Sequence, residues 1–279
     1  MTNFLAGIAL TLVIAGCGPA AEPDIAPALP PVAVFTATEY AFAGPDTLAA
    51  GPTTFQMAAA GAELHHLTLV RFDEGYTLGE FLGAMQAGGP PPAWAHFMGG
   101  PNPPPPGGAS EATVVLTPGA WAMLCFVPGP DGAPHVAKGM SKAFTVVANP
   151  TPAAEPATHI VMTLRDYDFD LSTPLTSGTH TFRVENTAAQ SHEIFLIRLG
   201  EGRTVQDVAD FVAAMESGTA SGPPPGEPMG GVASLNPGER NWFTATLTPG
   251  EYAMLCFVPD MSDGRPHMLH GMMEQFTVQ

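Results

Sequence analysis

Basic side chains are scarce in this chain: 9 Lys and Arg stand against 26 Asp and Glu in 279 residues, a formal charge of −17. A nucleic-acid-binding surface needs Lys and Arg to replace the counterions of phosphate, so the composition argues against that partner. It argues equally against a cationic amphipathic helix held on anionic lipid. Only three cysteines occur, Cys17, Cys125 and Cys256. No apolar run reaches the roughly 20 residues that span a bilayer as a helix; the apolar run at residues 4–16, FLAGIALTLVIAG, is too short. Apolar residues nevertheless make up 45% of the chain, enough for a sizeable core. Glycine and proline, 31 of each, are spread as punctuation between short segments, which points to a turn-rich all-β protein.

The apolar run at residues 4–16 has the length of a signal-peptide core. It ends in Ile14-Ala15-Gly16-Cys17, which resembles the bacterial lipobox. The resemblance implies removal of residues 1–16 and lipid attachment to Cys17. The chain is then expected in the cell envelope, tethered to a membrane on the periplasmic side or at the cell surface. Residues 17–32, rich in Ala and Pro, read as the tether.

Beyond the tether the sequence repeats itself. Trp121-Ala-Met-Leu-Cys-Phe-Val-Pro128 matches Tyr252-Ala-Met-Leu-Cys-Phe-Val-Pro259. Each is preceded by Leu-Thr-Pro-Gly and one further residue, and followed by Asp-Gly-x-Pro-His-x-x-x-Gly-Met and then Phe-Thr-Val. His65-His-Leu-Thr-Leu-Val-Arg71 matches His192-Glu-Ile-Phe-Leu-Ile-Arg198, and Glu39-Tyr-Ala-Phe42 matches Asp166-Tyr-Asp-Phe169. The period is near half the chain. It predicts a domain over 33–148, a Pro/Ala linker over 149–157 and a like domain over 158–279. Cys125 and Cys256 hold equivalent places in the two copies, so a disulfide between them is not expected.

Each copy alternates with a period of two. Ile160, Met162 and Leu164 share one strand face; so do Phe182 and Val184, and Phe243, Ala245 and Leu247. Such segments between Gly/Pro turns signal a sandwich or barrel. One helix interrupts each copy. Thr77 with Glu80 and Thr204 with Asp207 have the form of a capping box, and a Pro-rich loop follows each helix. These pieces are expected to cover one end of each sandwich.

The residues that carry chemistry also occur twice. The first copy offers His65, Cys125, His135 and Met140; the second offers His192, Cys256, His267 and Met272. A thiolate, two imidazoles and a thioether make three strong donors and one weak axial donor, the ligand set of a blue-copper site. In this the sequence resembles the cupredoxins, whose last loop supplies Cys, His and Met. Nine residues separate Cys125 from His135 and ten separate Cys256 from His267. That long loop is most similar to the type 1 copper loop of copper nitrite reductases. The resemblance implies two tandem Greek-key β-sandwiches, one copper in each, and single-electron transfer to a redox partner protein. Of the other histidines, His66, His96, His159 and His180 lack a counterpart and read as ordinary, and His270 reads as an exposed bystander beside the second loop. Arg71 and Arg198 repeat and are expected to pair with carboxylates.

The resemblance also says what is missing: in multicopper oxidases and copper nitrite reductases a His beside the loop Cys links type 1 copper to a catalytic copper, whereas here no His flanks Cys125 or Cys256 and no His-x-His pair occurs, so a catalytic copper and an enzymatic role are not expected. Two other readings share the fold: a binding or structural module that holds no metal, and a copper delivery or storage protein that binds Cu(I). A visible spectrum of the Cu(II)-loaded protein separates them.

Overall fold

The computed structural model describes residues 28–105 and 107–279. The signal segment expected at 1–16 and the lipidation expected at Cys17 lie outside the described residues. The chain is mostly β. In the first half the strands are β1 (Val32–Thr38), β2 (Ala41–Ala43), β3 (Thr47–Ala49), β4 (Gly51–Ala59) and β5 (Thr68–Phe72). Helix α1 (Leu78–Gln86) follows, then β6 (Ala95–Phe97), β7 (Ala109–Leu116), β8 (Gly119–Leu124) and β9 (Ser141–Val147). In the second half they are β10 (Ile160–Arg165), β11 (Asp168–Leu171), β12 (Gly178–Asn186) and β13 (His192–Leu199). Helix α2 (Val205–Glu216) precedes β14 (Gly226–Leu235), β15 (Arg240–Leu247), β16 (Gly250–Leu255) and β17 (Met273–Val278). Short 3-10 turns occupy His135–Lys138 and His267–His270. The same order recurs in both halves, except that β3 has no counterpart. Among the described residues no helix is long and apolar enough to cross a membrane.

The alternating residues decide which face is buried. Ile160, Met162 and Leu164 of β10 and Phe182 and Val184 of β12 point into one core with Ile194, Leu196, Tyr252 and Met254. Arg183 and Glu185, on the opposite face of β12, pair with each other at 2.7 Å. The first half has an equivalent core around Phe35, Phe55, Leu69, Trp121 and Met123. Each such fully buried Phe or Leu contributes about 1.5–3 kcal/mol. Both helices are capped as their sequences predict: Thr77 and Glu80, and Thr204 and Asp207, exchange side-chain and backbone hydrogen bonds. They do not cover a sandwich end. Phe81 of α1 packs with Val70, Phe72, Ala122 and Leu124, and Val208 and Ala209 of α2 pack with Ile197, Leu199, Ala253 and Leu255. These strand residues alternate with the core residues, so each helix lies on the outer face of its sheet.

The two halves are joined through their sheets. One eight-stranded sheet runs through both, in the order β11-β10-β12-β15-β7-β4-β1-β2, joined where β15 meets β7. The five-stranded sheet β3-β9-β8-β5-β6 and the four-stranded sheet β14-β13-β16-β17 are also stitched together. Residues 98–102 do this. On one side Leu69 and Leu67 donate to the carbonyls of Gly99 and Pro101, at 2.7 and 3.0 Å. On the other, Gly99 donates to Ser234 at 2.9 Å and Ala233 to Gly100 at 2.8 Å. The crossing demands glycine. Gly100 and Gly231 sit at φ 117° and 121°, and a Cβ would overlap the carbonyl oxygens of Leu67 and Ile194 respectively.

Candidate metal centres

Each centre draws on a strand, a loop and a hairpin turn. In the first half His65 lies just before β5 and Cys125 just after β8. The residues between Cys125 and His135 leave and return as a small hairpin: Pro128 bridges to Pro134, and Gly129 accepts from Gly132 and donates to Ala133. His135 therefore reaches Cys125 across a pinched loop. Its amide donates to Val127 O at 3.0 Å, and Val136 donates to Cys125 O at 2.7 Å. The second half repeats this with Pro259 bridged to Pro266, His267 donating to Val258 O at 3.0 Å and Met268 donating to Cys256 O at 2.8 Å.

His65, Cys125 and His135 form one buried group, and His192, Cys256 and His267 a second; in each, the donor atoms lie within 4.8 Å of one another. In the first, Nδ1 of His135 is 3.1 Å from Nδ1 of His65 and 3.4 Å from Cys125 Sγ. In the second, Cys256 Sγ is 3.8 Å from His192 Nδ1 and 3.5 Å from His267 Nδ1. Met140 and Met272 are buried in the same cores as the cysteines. Each methionine carbonyl accepts the cysteine amide, at 3.2 Å, and each methionine amide donates to the loop histidine's carbonyl, at 3.0 Å.

The protons say what these groups are short of. His135 Nε2 meets Glu63 Oε2 at 2.8 Å, and His192 Nε2 meets Asp166 Oδ1 at 2.9 Å. A carboxylate only accepts, so both histidines carry their proton on Nε2 and turn a bare Nδ1 lone pair inward. His65 Nε2 and His267 Nε2 are buried without a hydrogen bond; the latter lies 3.5 Å from Asp260 Oδ2. Burial holds His65 and His192 below the ordinary histidine range and lowers His267 to about 4. It pushes the Cys125 thiol up to about 11 and Cys256 further still. A cluster of inward lone pairs beside a thiol that cannot ionise unaided is resolved by a cation, whose charge deprotonates the sulfur. The residues fit a metal.

The hairpin turns add an aromatic edge. Tyr40 and Tyr167 hold φ of 65° and 67° in the turns from β1 to β2 and from β10 to β11. Non-glycine residues rarely adopt this backbone, at roughly 1–2 kcal/mol each. Their rings stand edge-on to His135 and His267, with centroids 5.3 and 5.6 Å away. Tyr40 OH donates to Glu63 at 3.2 Å, and Tyr167 OH donates to Asp260 at 2.6 Å.

The remaining residues fall elsewhere. Cys125 and Cys256 are free and buried in different cores. His96 pairs with Asp73 at 2.9 Å, His159 accepts from Thr181 N at 3.0 Å, and His180 bonds Thr176 O at 2.8 Å. His270 meets Asp263 at 3.2 Å. With Asp260 these two form a third group, this one acidic, whose carboxylates are occupied by hydrogen bonds from Ser262, Tyr167, Gln190 and Arg265. Arg71 lies 3.7 Å from the Asp73 carboxylate, but Arg198 donates to the Pro249 carbonyl at 3.3 Å, not to a carboxylate. His66 is not merely ordinary: it turns away from the donor cluster, and its Nε2 accepts the Phe126 amide at 2.8 Å. Glu193, in the same place beside His192, accepts the Phe257 amide at 2.9 Å and gives its own amide to Cys256 Sγ at 3.4 Å.

The fold and the donors thus define a mostly β protein with two buried His–Cys–His groups of metal-binding form. No protein-family model matches the chain, and no curated protein matches it. Solved structures do resemble it. A dithionite-reduced auracyanin from Roseiflexus castenholzii is 22% identical over 43% of this chain and 98% of its own, with a TM-score of 0.28. Auracyanin A, a blue copper protein of Chloroflexus aurantiacus, is 21% identical over 42% of this chain and 99% of its own, TM-score 0.31. A multicopper oxidase is 14% identical over 89% of this chain and 88% of its own, TM-score 0.23.

Proposed function

We propose that this chain is an electron-transfer protein with one mononuclear type 1 copper in each half, built on two cupredoxin-like Greek-key units. The observation that carries this reading is the pair of buried His–Cys–His groups with inward Nδ1 and Sγ atoms. Donor softness selects the metal: thiolate and thioether suit Cu(I), imidazole suits Cu(II), and oxygen-seeking cations find no ligand among the three donors. Copper bound there would supply a one-electron couple. The protein's own part is to hold the donors still. Cys125 and Cys256 sit in closed cores, Glu63 and Asp166 fix two imidazoles in tautomer and direction, and the pinched loops bring His135 and His267 to the sulfur. Met140 and Met272, buried in the same cores, would offer weak thioether donors. A rigid site of this kind needs little reorganisation when an electron moves. We assign no catalytic residue, and read the chain as a carrier in the cell envelope, anchored through Cys17 and serving a redox partner protein.

Loading the purified protein with Cu(II) tests this. The expected result is two coppers per chain and an intense visible thiolate-to-copper band, halved by either Cys125→Ser or Cys256→Ser. Stoichiometric Cu(I) binding with no coloured Cu(II) form would instead indicate delivery or storage. A folded protein that retains no metal would sink the reading.

A further inference from the structure

The two loop histidines stand beside opposite charges. Gly129 and Asp260 are counterparts: each follows Val-Pro in its Cys-to-His loop, and each makes the same two hairpin hydrogen bonds. Gly129 donates to Ala133 O at 2.9 Å and accepts from Gly132 at 2.8 Å; Asp260 donates to Arg265 O at 2.8 Å and accepts from Gly264 at 2.8 Å. The second half thus projects a carboxylate where the first has no side chain. The first half fills that space with an ammonium: a Cβ on Gly129 would fall 2.5 Å from Lys138 Nζ. Lys138 ends the short turn that His135 begins, and its counterpart His270 pairs instead with Asp263 at 3.2 Å.

The matched tyrosines show the same reversal. Lys138 Nζ donates to Tyr40 OH at 3.1 Å, whereas Tyr167 OH donates to Asp260 at 2.6 Å. Asp260 also accepts from Gln190 at 3.1 Å and from Ser262 N at 2.7 Å. These neighbours all donate, which holds it as a carboxylate. The Asp260 side chain is 1% exposed and Lys138 18%, while Asp131, which pairs with Lys138 at 2.6 Å, is 62% exposed. Water and salt therefore screen Asp131 far more than the two charges beside the histidines. The remaining charges do not undo the contrast. Each centre has one carboxylate on an imidazole, Glu63 on His135 and Asp166 on His192. Glu39 is exposed and held on backbone amides. Glu193, in the place of His66, brings no cation to the second centre.

We infer that Asp260 and Lys138 split the two centres in redox potential, the second being lower, so that the electron of a singly reduced chain rests in the first half. This rests on the copper reading above. A nearby anion favours Cu(II) over Cu(I), and a nearby cation favours Cu(I). One copper is reduced as the other is oxidised, and no proton or further reactant is consumed. A charge so close to a buried site is worth about tenfold or more in that balance.

The test is a redox titration of the copper-loaded full chain, followed by its thiolate-to-copper band. Cys125→Ser gives the midpoint of the second centre alone, and Cys256→Ser that of the first. The first must lie higher by at least about 59 mV, a tenfold preference for the electron. Asp260→Asn keeps the size and an acceptor for Tyr167, and must raise the second midpoint; Lys138→Gln must lower the first. Each should change the preference by about threefold or more. Structural loosening alone would not shift the two centres in opposite directions. If Asp260→Asn fails to fold, Gly129→Asp, which builds a carboxylate into the first half, must lower the first midpoint as Lys138→Gln does. Equal wild-type midpoints, or a lower first centre, overturn this inference alone, as does an unmoved midpoint in any folded charge variant. A folded wild type with no thiolate-to-copper band overturns the copper reading and this one together.

Discussion

The two candidate centres share their donor types and loop construction but differ in which histidine is held from behind. In the first, the loop histidine is anchored, His135 on Glu63, and the strand histidine His65 has a bare Nε2. In the second the roles are exchanged: His192 is anchored on Asp166, and His267 has no hydrogen bond on Nε2. Two positions differ: Glu63, which holds His135, has Gln190 as its counterpart, and the carboxylate near the strand histidine has changed length. Glu39 and Asp166 are counterparts, but the longer Glu39 side chain turns back to accept the amides of Ala62 and Glu63, while the shorter Asp166 reaches the imidazole. The lesson is that a repeated set of donors does not make repeated surroundings. Outer-shell partners orient ligands and tune a metal, and here they have diverged.

The most severe break in the comparison is loss of a sulfur. Cys125→Ser and Cys256→Ser should each remove one copper by metal analysis and leave the other centre's spectrum recognisable; loss of both coppers from one substitution would mean that the halves do not hold separate sites. Next come the anchors. Glu63→Ala should weaken the first centre and Asp166→Ala the second, each by about 10–100-fold in metal affinity, whereas Glu39→Ala should affect the first centre much less. Equal effects of Glu39→Ala and Asp166→Ala would erase the distinction drawn above.

Backbone substitutions probe what the halves have in common. Gly100→Ala and Gly231→Ala each put a Cβ onto a carbonyl oxygen two residues past a donor histidine. Both should destabilise by about 2 kcal/mol or more in denaturant titration; a neutral result at either would show that the crossing is looser than described. The pH dependence of the metal-free protein separates the halves again. The unfolded chain takes up histidine protons below about pH 6.5, the folded chain only below its lowered values. Stability is thus present above that pH and is lost as pH falls, through about 4 for His267. The thiols act in the opposite direction: unfolded cysteine ionises near 9, Cys125 at about 11 when folded, so stability is lost as pH rises through that window. Melting temperature should therefore peak between about pH 6.5 and 9. Cys256→Ser should flatten the alkaline side more than Cys125→Ser, because Glu193 adds its charge to the burial of Cys256. The smallest effect is expected at the helix caps, where Thr77→Ala and Thr204→Ala should each cost about 1 kcal/mol and leave both copper bands unmoved.

Much of the candidate site was legible because its residues cluster in repeated words. Cys, His and Met lie within one loop in each copy, and the strand histidines open matched segments. The Glu39-Tyr and Asp166-Tyr pairs were also visible as a repeat, yet nothing in their spacing told that the tyrosines would sit edge-on to histidines nearly a hundred residues later, or that only one carboxylate would reach an imidazole. Glu63 and Asn102 gave no signal: Asn102 has alanine as its counterpart, and its side chain bonds only residues of the other half. Arg198, read as a partner of a carboxylate, bonds the Pro249 carbonyl although Glu227 stands opposite it in the neighbouring strand, a choice its position in the sequence does not announce.

Period-two alternation, the capping boxes and the donor set follow from local chemistry, since each depends on residues within a few positions of one another. The sequence alone therefore determined a β protein, two capped helices and two sets of soft donors. The joining of the sheets across the halves, the outward placement of the helices and the closing of the long Cys-to-His loops were decided only in three dimensions. They depend on close approach of segments far apart in the chain, on where glycine lets two backbones meet, and on which buried donor finds an acceptor when water is gone.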